Sequence, residues 1–538
     1  MVFARRSTTL LAAIIASCAM VLSLTACTSD NKTVVDGQTT VTSNSAGGVA
    51  VFTPSDGITL NQQVPLNKWA KLVPDLTKAL VDAGFKKGDI NHTTSDSLAK
   101  QSRAIQDFVV DHLSNNTTDD SGIAIAPDNM TLLVAPVVEA DASTRQYGDY
   151  VSQNLSTNDV TDEGATSDGE SSEDDSSNTE SDSTASDEQA QAVDRLVSSL
   201  KLAKESGMHV VLLGNSIEGY KPDAFVKFSD AQTIGKLQAE KMVSKLKLDK
   251  ASKDNPKYIE VLLPYTAVDE KGNANDSTFA QEAFRGIWQV LGSYYQKGVV
   301  ESPSGTLDGK STENDWQAVA YDAAKEGSTA KVLDKRLAKT DGQSTLTRID
   351  GIITMNDYIA SEVVKELDDL GYTGSAADIN PQITISGIVG NITGKKDLSR
   401  DAVPDPIKSP ENDNANDSSS SDDDADEDTS ASDKDRDSQW PLVTGYGAYV
   451  SNIPSIVNGK QWMTGMEDRQ TIATDIAQAC AKLNKDEALN SMPSIRNSEV
   501  GGVKKIPTIS EPLLAVSASN LKSALIDPGY ISLADAGL

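Results

Sequence analysis

Short unbroken apolar runs alternate along the chain with longer stretches whose apolar positions recur every three or four residues. GVAVFTP from Gly48, MTLLVAPVV from Met130, HVVLLGNS from His209 and KYIEVLLPY from Lys257 read as strands, as do DGIITMND from Asp350, PQITISGIVG from Pro381 and PLVTGYG from Pro441. Helices are predicted between them over 67–85, 97–113, 191–207, 230–246, 276–295, 315–337 and 357–372, and again over 471–484. Continuous apolar strands separated by amphipathic helices point to βαβ units and a parallel sheet covered on both faces. Such sheets bind ligands beyond the carboxyl ends of their strands. The fold class is therefore α/β, with doubly wound parallel sheets.

One strand end stands out. In IDGIITMNDYIASEVVKELDDLGYTG, from Ile349, the apolar run stops at Asn356 and Asp357, and a helical pattern of Ile359, Val363, Val364, Leu367 and Leu370 begins at once. Asp before a helix caps free N–H groups for about 0.5–2 kcal/mol. A carboxylate at the carboxyl end of a parallel strand is also where a ligand is met. Asp230, ahead of the helix AQTIGKLQAE, poses the same choice.

At 538 residues the chain exceeds one compact core. Its net charge of −31 is unevenly placed: Ser156–Ala190 hold twelve acidic residues and no Lys or Arg, and Ser409–Ser438 hold twelve against Lys434 and Arg436. Both tracts have almost no large apolar residues and are predicted to be disordered inserts in loops. Phosphate binding needs a basic surface, so nucleic acid is excluded as a partner. The Asp-rich run does not follow the spacing of a calcium loop.

The first 26 residues carry Arg5 and Arg6 ahead of an apolar stretch from Leu10 to Leu24, the layout of an export signal. Leu24-Thr25-Ala26-Cys27 resembles a bacterial lipoprotein box, so Cys27 is the expected lipidation site, followed by a polar tether over 27–49. This predicts a monomeric protein held at the extracellular face of the cell membrane. Cys480 lies in a helical pattern and reads as a buried small hydrophobe. With His92, His112 and His209 as the histidines, neither a thiolate or histidine metal site nor a Ser-His-Asp triad has the residues it needs, and no cofactor is expected.

Four stretches in this order resemble the type I periplasmic binding proteins of the multiple-monosaccharide and xylose group, which serve ABC importers: KFSDAQTIGKLQAE, DGIITMNDYIASEVVKELDDLGY, PLVTGYGAYVSNIPSIVNGKQWMTGMEDRQTIATDIA and the tail from Lys504. The resemblance implies two lobes joined by a three-strand hinge: 50–215 with 469–503 as one lobe, 216–468 as the other, and 504–538 completing the hinge and second lobe. It further implies a sugar or glycan ligand between the lobes and ABC permease partners. Carried over by position, the ligand set is Lys68, Trp69, Asn215, Asp230, Phe279, Asn356, Asp357 and Tyr446.

Several of these depart from the family pattern. Lys68 stands for an Arg, Gly214-Asn215 for an Asp-Arg pair, Phe279 for an Asn, and Tyr446-Gly447 for a Gln-Asp pair. Each charged partner lost to a sugar hydroxyl removes roughly 1.5–3 kcal/mol. A solute-binding protein for a sugar therefore competes with a degenerate member of the same fold acting as an envelope sensor or interaction protein. A glycosidase would need two carboxylates across a cleft; only Asp230 and Asp357 are candidates, and no enzyme motif accompanies them.

Overall fold

The computed structural model describes residues 34–35, 38–39, 46–55, 65–115, 125–138, 146–150, 153–156, 180–268, 277–323, 325–338, 346–376 and 440–538, with the side chains of 34–39, 115 and 180–188 excepted. The chain divides at Asn44. In the first unit Val34–Val35 pairs antiparallel with Gln38–Thr39. The second unit, Ser45–Leu538, holds two α/β layers.

Its first sheet has seven strands: β1 (Gly48–Pro54), β2 (Ile90–Ser95), β3 (Met130–Val134), β4 (His209–Leu213), β5 (Ala224–Lys227), and later β11 (Ile495–Val500) and β12 (Val503–Ser510). The order is β11-β12-β5-β4-β3-β1-β2, all parallel except the β11–β12 hairpin. Alternate strand residues bury opposite faces, as a period of two requires. Val49, Val51, Leu133, Val211, Leu213 and Val226 pack with α1 (Trp69–Asp82) and the late helix α7 (Arg469–Leu483). Ala50, Phe52, Leu132, Val134, Val210 and Leu212 face α2 (Leu98–Asn115) and α3 (Glu180–Glu205).

The second sheet is four parallel strands, in the order β7 (Val300–Glu301), β6 (Lys257–Val261), β8 (Gly351–Ile353) and β9 (Leu442–Val443). Ile259, Val261, Ile352, Ile353 and Val443 form its core with α4 (Ala231–Leu246), α5 (Thr278–Gln296) and α6 (Asp357–Asp369). Beside it β10 (Met463–Met466) pairs antiparallel with β13 (Leu514–Ser517). Three short segments cross between the layers: 228–230, 467–468 and 511–513.

The structure departs from the sequence reading at several elements. The strand Ala224–Lys227 pairs with β4 and β12, so the first layer continues past Asn215, and the tail strand Val503–Ser510 also lies in that layer. The polar strand β2 (INHTTS) has four exposed positions at the sheet edge and no apolar run to announce it. The helix expected over 315–337 is broken. Ala320–Tyr321 pairs with Leu263–Pro264, and Gly327 takes a left-handed φ of 70° before a separate helix starts at Ser328. The acidic tract that predicted disorder to Ala190 is helical from Glu180, where good helix formers such as Ala185, Glu188 and Gln189 extend a helix already anchored by the packing of its later turns. The predicted strand 381–390, the second acidic tract, the export signal and Cys27 lie outside the described residues.

Helices α4 and α5 approach closely through a pair of glycines. A Cβ on Gly235 would overlap the carbonyl oxygen of Ala283, and one on Gly286 would overlap that of Gln232. Both obstacles are backbone and cannot swing aside, so Gly286→Ala should cost about 1–3 kcal/mol through overpacking, measured as a lower urea midpoint; an unchanged midpoint would refute the close contact.

Candidate functional site

The carboxyl ends of the strands in the two layers meet around an aromatic cluster. From the first layer, Trp69 at the start of α1 packs edge-on against Tyr150 and Phe228, at 5.1 and 5.7 Å between ring centroids, and Tyr150 stacks on Phe228 at 4.8 Å. Gly214, with φ of 71° just past β4, lies beside the Trp69 ring, and its left-handed turn is one that favours glycine. From the second layer come Phe279, on the first turn of α5, and Tyr446, just beyond β9. Tyr147 lies between them, 4.7 Å from Phe279 and 6.3 Å from Tyr446. Trp69, Tyr147, Tyr150 and Tyr446 are all buried.

Asp357 does not cap its helix. Asn356 does, accepting from the N–H of Ile359 at 2.9 Å. Met355 precedes it with φ of 67°, a left-handed turn uncommon for a side chain of its size. Its carbonyl accepts from Gln238 Nε2 at 2.9 Å. Asp357 is thereby turned into the protein, fully buried. Its carboxylate accepts from Gln461 Nε2 at 2.7 Å, Thr464 Oγ1 at 2.8 Å and the N–H of Tyr449 at 2.9 Å. Asn452 extends this network, donating to the Asp357 carbonyl and to Gln461 Oε1. Burial pushes the Asp357 carboxyl up to about 6, against the pull of those donors.

The remaining positions fall into two groups. Asp230 does cap α4, accepting from Thr233 N–H at 2.7 Å, and pairs with Lys227 at 2.9 Å. Asn215 is buried, donating to the Pro136 carbonyl at 2.9 Å and accepting from Gln153 N–H at 3.0 Å. Lys68 reaches Asp149 at 2.8 Å. Lys68, Trp69, Phe279, Asn356 and Tyr446 are thus brought to one junction, while Asn215 and Asp357 are engaged with groups of their own layer and Asp230 with its own helix and Lys227 of β5.

Two segments at this junction escape sequence reasoning: the first carries no motif, and the second lies in a stretch that resembles the family but drew no role for its acid. Gln146–Tyr150 sits between the layers. Glu467 lies on the second crossing, where its carboxylate accepts from both the N–H and the hydroxyl of Ser229 on the first crossing, at 2.6 and 2.5 Å. The Tyr446 hydroxyl lies 2.5 Å from Ser229 Oγ and so donates into the same chain. Complete burial lifts the Glu467 carboxyl to about 7 and the Tyr446 phenol well above its usual range.

No family model matches the chain, and no curated protein matches it. Among solved structures it is similar to an ABC transporter solute-binding protein from Clostridium phytofermentans with bound β-D-glucose, at 16% identity, TM-score 0.45, over 91% of this chain and 99% of that one. It is also similar to a carbohydrate transporter solute-binding protein from Chloroflexus aurantiacus in complex with D-glucose, at 19% identity, TM-score 0.42, over 92% and 98%. A third is a periplasmic ribose ABC transporter from Conexibacter woesei, at 13% identity, TM-score 0.42, over 90% and 96%.

Two predictions follow from the buried carboxyls. Asp357→Ala leaves three buried donors without an acceptor and should lower the unfolding free energy by about 2–4 kcal/mol, read from urea titration; a change under half a unit would place the carboxylate outside the packed network. Glu467 binds its proton more tightly folded than unfolded, so its contribution is complete below the ordinary value of 4.5 and is lost as pH rises through about 7. Glu467→Gln should therefore flatten the rise in stability between pH 8 and pH 5 by on the order of 2–3 kcal/mol. Parallel wild-type and variant curves would contradict this.

Proposed function

We propose that the chain is an exported solute-binding protein that takes a sugar between its two α/β layers and hands it to a membrane importer, performing no chemistry itself. The observation that carries this reading is the architecture. Two parallel sheets are joined by three short crossings, and the ends of β4, β8 and β9 converge on one aromatic junction. Ring faces such as Trp69, Phe279 and Tyr446 suit the C–H faces of a sugar, and amides such as Asn356 suit its hydroxyls. Lipid attachment through Cys27, a place on the extracellular face of the membrane, a monomeric state and an ABC permease partner belong to the same reading and rest on the sequence.

A second reading, an envelope sensor or interaction protein of the same fold, is favoured by one observation. The polar groups of Asp357 and Asn215 spend their hydrogen bonds on the protein itself.

Calorimetry of the exported chain against mono- and oligosaccharides decides between the two. The expected result is saturable heat with one sugar class, and about 2.7 kcal/mol of added stability at a hundredfold excess over Kd. Folded protein that gives neither heat nor a melting shift with any of them leaves the second reading.

A further inference from the structure

The segment Gln146–Tyr150 is anchored to both layers. Its second half belongs to the first layer. Asp149 N–H donates to the Asn67 carbonyl at 2.8 Å, and the Asp149 carboxylate accepts from Lys68 Nζ at 2.8 Å and from the N–H of Trp69 at 3.0 Å. That carboxylate supplies the start of α1 with the acceptor that Lys68, at the cap position, does not. Tyr150 donates to the Lys68 carbonyl at 2.5 Å and stacks on Phe228. The first half belongs to the second layer. Gln146 Oε1 accepts from Asn356 Nδ2 at 3.1 Å, its carbonyl accepts from the Tyr449 hydroxyl at 2.7 Å, and the Tyr147 ring is part of that layer's apolar core. Gly148 makes the turn between the halves with φ of 92°, and a Cβ there would press on the Asn67 backbone.

We infer that Gln146–Tyr150 is an in-chain occupant of the ligand position, stapling the two lobes closed without a ligand. Tyr147 sets a six-membered ring against Phe279, and Gln146 brings an amide to Asn356, so the segment meets the groups a pyranose ring and its hydroxyls would meet. Its bonds to both lobes are those that a bridging ligand provides in a cleft that closes by a hinge. A sugar enters only by displacing Tyr147, and its apparent affinity is reduced by the fraction of molecules still stapled. The inference rests on the two-lobe solute-binding reading for the identity of the ligand, whereas closure itself is measurable without one.

The test places fluorophores on cysteines introduced at exposed Val110 on α2 and Lys241 on α4, in the exported chain carrying Cys18→Ser and Cys27→Ser; native Cys480 is buried. In the unmodified segment, energy transfer should report one short interlobe distance that added glucose, ribose or xylose leaves unchanged. In the double variant Gln146→Gly, Tyr147→Gly the distance should lengthen without sugar. Any sugar bound should bind at least about tenfold more tightly than to the wild-type segment, or 1.4 kcal/mol. The inference is overturned if the wild-type distance is long until sugar is added, if the double variant keeps the wild-type distance, or if sugar affinity is equal in both. Should the double variant fail to melt cooperatively, Tyr449→Phe, which removes only the hydroxyl bonded to Gln146, should shift the distance in the same direction, and an unchanged distance there overturns the inference too. An opened variant that binds no sugar refutes the solute-capture reading while leaving the staple standing.

Discussion

The carboxylate of Glu467 joins two chain crossings that the sequence separates by more than two hundred residues. It accepts from the backbone and hydroxyl of Ser229, and Ser229 in turn meets the Tyr446 hydroxyl. One buried acid thereby sets the relative placement of the end of β5, the end of β10 and the loop after β9. Replacing it with an apolar group would leave the buried Ser229 N–H without its acceptor, a cost of roughly 1–3 kcal/mol. The aromatic junction is assembled around this anchor. Phe228 precedes Ser229 in sequence, and Tyr446 is held through its hydroxyl.

The same economy appears at Asp357. A buried carboxylate is costly unless every lone pair is used, and Gln461, Thr464 and the Tyr449 amide use them. Those three groups come from the loop after β9 and from the approach to β10, so Asp357 ties the start of α6 to the chain that returns to the first layer. Gly445 is part of this arrangement, since a Cβ there would collide with the Asp357 carboxylate. The sequence places this glycine inside the predicted strand PLVTGYG; its role is to let the carboxylate in.

Much of the fold is legible in the sequence because the central strands in both layers are buried on both faces. The runs at Val49, Leu132, Val210, Ile259 and Ile352 could be nothing but parallel strands between amphipathic helices. What was not legible lacks an apolar signature. INHTTS is an edge strand with four solvent-exposed positions, held to β1 by its backbone and by a Thr53–His92 side-chain hydrogen bond. The helical appearance of 315–337 fails because periodicity over a short window cannot register that Ala320 and Tyr321 pair with a distant Leu263–Pro264. At the candidate site the residue types were legible and their directions were not. Asn356 and Asp357 are adjacent acceptors before one helix. The left-handed turn at Met355 decides which of them caps and which is buried.

The composition of the junction and its packing have one physical logic. Phe279 and Tyr446 each bring a ring to the junction from the second layer. An unfilled space between such rings would forfeit dispersion contacts and would not be compensated by water, which needs two or more polar partners to be held. Tyr147 fills that space, and its neighbour Gln146 satisfies the Asn356 amide that the rings cannot. A polar junction tolerates being empty because water occupies it. An aromatic one does not, and a chain with rings at its lobe junction has to supply an occupant of its own.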